Sequence, residues 1–326
     1  MDFSKGIKKS ESLKKISHIK IGGLVKYFFA THSVKSLIEI LNWWIKENSL
    51  RGLKKIMVIG GATNILFSDE VFNGLVILNK INFIKKINKE IIYVGSGTEM
   101  SRLLKYCFKN NLSGLEWSAG LPGSVGGAVR GDAGAFGGEI KNSVIKVESI
   151  DIDAVGKIGI FIRSKKECKF GYRTSIFKED NKNGTDKIIT GVYLKLKNKK
   201  SIKKEIDRAN NIKKYRWSKH PMDLPSLGST FKNVPINNIP KKVIDLFSNK
   251  TKNDPVPVLP VAILLNFVGL KGFAIGGAKF SEKHPNFIVN FNNANSKDVK
   301  KLITIAKKRV FKKFRVKLEE EIEIIY

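Results

Sequence analysis

Val34, Leu37, Ile38, Leu41, Trp44 and Ile45 recur at helical spacing behind Ser33, which stands as an N-cap, and so predict a helix. Leu103, Leu104, Cys107 and Phe108 mark the inward face of a second helix over 98–110. Val299, Leu302, Ile303, Ala306, Val310 and Phe314 predict a long third helix capped by Ser296. Residues 198–214 form a lysine-rich helix or connector, with a domain boundary near its start. Strands are expected at 55–59, 74–78, 91–94, 143–152, 159–164 and 188–196, and residues 16–30 suggest strand, Gly-Gly turn, strand. From 315 to 326 the period is two: Val316, Leu318, Ile322 and Ile324 share one face, and Glu319, Glu321 and Glu323 the other. Gly-Gly pairs recur without a fixed period, which excludes a solenoid. These short mixed elements point to an α+β fold.

Charge changes this picture little. The 326 residues carry a net charge of +31, but the lysines are scattered along the chain. A nucleic-acid surface concentrates cations and interleaves aromatics, so such a partner is not expected. A general positive field would still recruit anionic substrates. Cys107 and Cys168 lack metal-ligand spacing, as do His18, His32, His220 and His284, and no metal is expected. His220 and His284 each precede proline and suit turns. The first fifteen residues contain no signal-peptide core, and the apolar run 256–270 is broken by Pro257, Pro260 and Asn266. A soluble, cytoplasmic protein is the expectation.

Two glycine-rich stretches stand out against the lysine background. The first, Gly60-Gly61-Ala62-Thr63-Asn64, follows the apolar run Ile56–Ile59; strand, glycine turn and hydroxyl and amide donors suit a pyrophosphate. The second, 114–138, alternates glycine with Leu121, Val125, Ala128, Val129, Ala133 and Phe136, as if backbone wrapped something bulky and partly apolar. Either stretch alone would equally be a tight turn of a β-rich core, and neither is the GxGxxG fingerprint of a Rossmann fold.

Three later segments could carry chemistry. Arg173 lies between Tyr172 and Thr174, where a guanidinium could fork onto a carboxylate or another ligand oxygen, or simply stack on Tyr172. Ser229 follows Gly228 on a Pro-Ser-Leu-Gly approach without a nucleophile elbow or a histidine partner; a hydroxyl there could donate a proton, with Lys232 and Asn233 near an anionic substrate. The terminal glutamates could serve a site or only balance charge.

In order, the segments IGG (21–23), VIGGATNILFSD (58–69), GLEWSAGLPGSVGGAVRGDAGAFGGEI (114–140), FGYRTSIFK (170–178), LPSLGSTFKN (224–233), GLKGFAIGGAKFSEKHPNFIVN (269–290) and LEEEIEII (318–325) resemble the UDP-N-acetylenolpyruvoylglucosamine reductase family over nearly the whole chain. The resemblance implies a two-lobed FAD-binding module of the PCMH/vanillyl-alcohol-oxidase type (1–79 and 80–197) and an α+β substrate domain (198–326). It implies NADPH-driven, FAD-mediated reduction of UDP-N-acetylglucosamine enolpyruvate in cell-wall precursor synthesis. Gly60, Gly61, Ala62, Thr63, Asn64, Gly120, Pro122, Gly123, Ser124, Gly126, Gly127 and Ala128 would hold the flavin. No His or Cys lies in these loops, so noncovalent FAD is expected. By matching position Ser229 would donate the proton, while Arg173 and Glu321 would complete the catalytic set. Tyr172, Gly228, Lys232 and Asn233 would meet substrate. The short segment before Ser229 matches the subtype without an inserted tyrosine loop, and a monomer is expected. Asp132, Val234 and Asn266 depart from the usual Asn, Pro and Asp, and the three consecutive glutamates leave Glu320 as an alternative to Glu321. Another flavin oxidoreductase of the same fold, or a basic nucleic-acid-binding protein, are the competing readings.

Overall fold

A computed structural model describes residues 6–48, 55–153, 156–179, 187–253 and 256–325. The chain divides into two compact units. The first comprises residues 1–11, 24–61 and 71–212; the second comprises 12–23, 62–70 and 213–326.

The first unit holds two sheets. In one, Leu24–Thr31 and Ile56–Ile59 run parallel to Phe72–Asn79, and Lys8–Ser12 forms the outer strand beside Leu24–Thr31. Residues 74 to 77 of the central strand are all buried, as a parallel strand covered on both faces requires. The helix Val34–Asn48 lays Leu37, Ile40, Leu41 and Trp44 on this layer, and the Ser33 hydroxyl accepts from the Ser36 amide at 3.1 Å, as an N-cap should. The other sheet is antiparallel, ordered Ile158–Ser164, Val144–Ile152, Lys187–Lys195, Ile91–Gly95, Ile84–Lys86. Strict alternation fails along Val144–Ile152 because the register shifts twice against Lys187–Lys195. Each bulge swaps the inward parity, from Val144 to Val147 and Ser149, then to Ile150 and Ile152. The helix Met100–Lys109 buries Met100, Leu103, Leu104 and Cys107 in the second core of this unit.

The second unit is built around the helix Ser296–Phe314, whose Val299, Leu302, Ile303, Ala306, Val310 and Phe314 are buried as their spacing predicts. Its N-cap is Asn295 rather than Ser296: Asn295 Oδ1 accepts from Asp298 N at 2.9 Å, and the Asp298 carboxylate accepts from Asn295 N at 3.2 Å, a capping box. A four-stranded sheet orders Ser226–Ser229, Phe287–Asn290, Ala278–Phe280 and Ala274–Ile275. A three-stranded one joins Val234–Pro235, Pro257–Leu259 and Lys252–Asn253. The lysine-rich stretch resolves into a helix, Lys203–Lys219.

Two further expectations change. Residues 16–23 make no strand. Gly23 packs so closely on Asp69 and Glu70 that a Cβ would lie 2.4 and 2.2 Å from their carbonyl oxygens, and Ile19 and Ile21 enter the second unit's core. The terminal stretch keeps its period, with Val316, Leu318 and Ile322 buried, but pairs only in pieces. Glu320 bridges Phe231, and Glu323–Ile324 pairs parallel with Ile65–Leu66. Tyr326 lies outside the described residues.

His220 and His284 do sit in turns, but they also form a packed trio with Phe287, each pair of ring centroids being 5.0 or 5.1 Å apart. Burial lowers both imidazoles to about 4, helped for His220 by His284, Arg216 and Lys252, and for His284 by Lys252. The unfolded chain takes these protons near pH ~6.5, so between there and about pH 4 it binds more protons than the native state. Stability is therefore full above that window and falls as pH drops through it. Urea unfolding at about pH 7 and about pH 5 should show a lower midpoint in acid, with His284→Gln flattening the difference; equal midpoints for the wild-type chain would contradict it.

Candidate active site

The turn after Ile56–Ile59 departs from strand geometry at Ala62, which adopts φ +47°. Non-glycine residues enter this region rarely, mostly where surrounding structure imposes it. Among the described residues no acceptor takes the main-chain N–H groups of Gly61, Ala62, Thr63 or Asn64. A run of such donors in a turn is an anion cradle. The Asn64 side chain is engaged elsewhere. Its amide donates to Glu321 O at 3.0 Å, and Asn64 O accepts from Glu323 N at 2.9 Å.

Gly60 faces the second glycine loop, since a Cβ there would lie 2.2 Å from Ser124 Oγ. Ser124 caps the one-and-a-half-turn helix Val125–Arg130 by accepting from Gly127 N at 3.3 Å. That helix is seated by the strand end before it: Val125 N donates to Thr98 O, and Gly126 N to Ser96 O, both at 2.8 Å. Gly126 must be glycine for this seat, because a Cβ would sit 2.9 Å from that of Ser96. The amides of Val125, Gly126, Gly127 and Ala128 thus all have acceptors inside the protein. The donors left to a ligand are those of Gly120, Gly123 and Ser124, the two glycines at φ +75° and +110°. Main-chain donors in side-chain-poor loops fit a pyrophosphate and the carbonyl edge of a flat heteroaromatic ring.

Arg173 belongs to the same unit as this second loop. It sits at φ +58° in a tight turn closed by Gly171 and Thr174, with its Cζ 5.2 Å from the Tyr172 ring centroid. Its Nη2 donates to Gly134 O at 2.7 Å and its Nη1 to Asp132 O at 3.4 Å. Asp132 itself is fully buried, and its carboxylate turns to Lys141, whose Nζ lies 2.8 Å away. Burial raises the Asp132 pKa, while the Lys141 ammonium works against that shift.

Ser229 and Glu321 lie in the second unit, on segments that the structure joins. Glu321 N donates to Thr230 O at 2.9 Å and Lys232 N to Glu319 O at 3.0 Å. Ser229 pairs across the sheet with Phe287. Gly228 before it takes φ +78°, and a Cβ there would meet nothing within 4 Å, so positive φ rather than crowding calls for glycine. The segment after Ser229 is clamped by Asn286: its Oδ1 accepts from Phe231 N at 3.0 Å, its Nδ2 donates to Phe231 O at 2.8 Å, and its carbonyl accepts from Thr230 N at 2.7 Å. Sequence reasoning passed over Asn286, although it lies in the run HPNFIVN. Of the glutamates, Glu319 pairs with Lys232, and Glu320 with Lys307 at 2.6 Å. Asn233 Oδ1 accepts from Val261 N at 3.2 Å, at the start of the helix Val261–Phe267. Val234 is buried and pairs with Leu259. Among the described residues no group of three or more His, Cys, Asp or Glu could hold a metal, and no helix is long and apolar enough to cross a membrane.

Comparison with known proteins supplies the remaining facts. Residues 25–158 match the family described as FAD binding domain, and residues 220–325 match UDP-N-acetylenolpyruvoylglucosamine reductase, C-terminal domain. A UDP-N-acetylenolpyruvoylglucosamine reductase of Thermotoga petrophila is 38% identical over 317 residues, 96% of this chain and 97% of that protein. One from Fervidobacterium nodosum is 37% identical over 316 residues, 97% of this chain and 90% of that protein. The crystal structure of UDP-N-acetylenolpyruvylglucosamine reductase from Thermus caldophilus superposes with a TM-score of 0.71 at 27% identity, covering 97% of this chain and 98% of that one.

Proposed function

The chain belongs to the UDP-N-acetylenolpyruvoylglucosamine reductase family, and from that premise we propose how its residues divide the reaction. The protein is an FAD-dependent oxidoreductase that reduces UDP-N-acetylglucosamine enolpyruvate to UDP-N-acetylmuramate in peptidoglycan precursor synthesis, with NADPH as hydride donor. Bound FAD supplies the hydride relay from NADPH to the enolpyruvyl double bond.

The amides of Gly61–Asn64 would hold the pyrophosphate, and those of Gly120, Gly123 and Ser124 the ring edge. Reduction of a double bond conjugated to a carboxylate leaves negative charge on that carboxylate and the carbon beside it. Arg173 offers a planar fork that matches it, and its position is set by two main-chain carbonyls rather than left to a flexible stem. Such an enolate-like carbon is basic enough to take a proton from the Ser229 hydroxyl. Glu321 steadies that donor. The observation that carries this assignment is the bond from Glu321 N to Thr230 O, which holds the glutamate beside the Ser229 segment. Glu320, the neighbouring alternative, pairs with Lys307. Tyr172 and Gly228 fit as substrate contacts. Lys232 and Asn233 would act alongside their bonds to Glu319 and Val261. Residues 1–79 and 80–197 would serve as the flavin lobes and 198–326 as the substrate domain, in a cytoplasmic monomer.

The test is anaerobic. Protein reduced by NADPH should lose its flavin absorbance near ~450 nm, and adding enolpyruvyl-UDP-N-acetylglucosamine should restore it within seconds. Reduced flavin that persists in the presence of the nucleotide would refute the substrate assignment.

A further inference from the structure

The carbonyls that seat Arg173 belong to a loop with an unusual charge arrangement. Asp132 has no solvent exposure and adopts φ +41°, a backbone state that Asp and Asn tolerate better than most residues. Its two carboxylate oxygens take the Lys141 ammonium at 2.8 Å and the Lys141 amide at 3.3 Å. The same ammonium reaches the Glu139 carboxylate at 3.0 Å, and Glu139 is also buried. Glu139 pairs across a two-residue ladder with Gly134, whose carbonyl is the closer acceptor of Arg173. The fit there is tight: a Cβ on Gly134 would lie 2.7 Å from Glu139 Cγ and 3.0 Å from Arg173 Nη1.

We propose that Lys141 is a positioning residue for Arg173: by neutralising the buried Asp132 carboxylate it keeps the guanidinium seated on the main-chain carbonyls of Asp132 and Gly134, aimed at substrate. This rests on the reading of Arg173 as the cation that meets the substrate carboxylate. The physical reason is the charge count. Asp132 and Glu139 bring two negative charges against the single positive charge of Lys141, in the loop whose carbonyls seat Arg173. Without Lys141, two buried carboxylates would face one guanidinium. An ion pair that strong in a dry loop would draw the fork off its carbonyls and consume the charge meant for substrate. A neutral residue at 132 would relieve the pull. Among the described residues, the charged groups facing Asp132 are Glu139 and Lys141 from the following segment and Arg173 from the turn at 171–174; the helix before it brings Arg130 two residues upstream.

The experiment compares Lys141→Met, Asp132→Asn/Lys141→Met and Arg173→Lys with the wild-type holoenzyme, each by kcat, KM and urea midpoint from about pH 6 to about pH 8.5. Lys141→Met should lose at least ~10-fold in kcat, and the loss should ease in the direction of lower pH, because burial raises the Asp132 pKa and protonation removes the unpaired charge. The double variant should recover most of the loss and show no such pH trend. A defect of packing alone would not respond to pH or to removal of the carboxylate. Wild-type kcat in Lys141→Met, or a loss that the double variant leaves unrepaired, overturns the proposal. If Lys141→Met does not fold, the double variant alone decides: near-wild-type kcat supports the inference and a persistent ~10-fold loss refutes it. Wild-type kinetics in Arg173→Lys would instead strike the underlying reading of Arg173, whatever Lys141 does.

Discussion

Ser229→Ala should leave NADPH-driven flavin bleaching at its wild-type rate while lowering turnover with the enolpyruvyl nucleotide by about 10²–10⁴-fold, the range for losing a positioned general acid. The two halves separate because the hydroxyl touches only the second. Reduction of the flavin by NADPH asks nothing of Ser229, whereas completing the product requires a proton at the carbon beside the carboxylate. The substitution itself is mild. Ser229 is half-buried, its place is fixed by main-chain pairing with Phe287, and the segment beyond it is held by Asn286. None of these contacts uses the hydroxyl, so the variant should fold with an unchanged melting temperature. Stopped-flow absorbance of the two half-reactions checks it. Full-speed reoxidation in the alanine variant would take the proton-donor role away from Ser229.

Arg173→Lys should lower kcat by about 10²–10³-fold, with KM changed far less, because the interaction strengthens as negative charge develops. Charge is conserved, so the loss would come from geometry. The guanidinium donates from two different nitrogens to the carbonyls of Gly134 and Asp132. A lysine ammonium is a single point on a flexible stem and cannot hold two fixed acceptors while aiming at a third group. Steady-state kinetics with the nucleotide measures this directly. A variant that raised KM alone would indicate uniform substrate binding rather than transition-state stabilisation.

The candidate site was legible in pieces. The turn at Gly60–Asn64 announced itself as glycine after an apolar run, and Ala62 does adopt a left-handed conformation there. The loop at 120–128 was equally visible, but the amides that opened its helix turned out to be bonded inside the protein, and Gly120, Gly123 and Ser124 carry the donors that remain. Asp132 stands where Asn is usual. It is buried against Lys141, and nothing in the spacing of residues 132 and 141 announces the pair. Asn64 read as a ligand donor, yet its side chain holds the carbonyl of Glu321.

What the amino-acid order settled alone were the long periodic helices, the buried strands and the succession of glycine and polar segments, because these follow from near neighbours and from side-chain size. The contacts of the three glutamates near the C-terminus, the two bulges along Val144–Ile152 and the seat of Arg173 were decided by the folded chain. Each depends on an acceptor or a cation contributed from a remote stretch: Thr230 and Lys307 for the glutamates, the shifted partner strand for the bulges, Gly134 and Asp132 for the guanidinium. A hydrogen bond or ion pair is a statement about two positions in space, and local pattern records only one of them at a time.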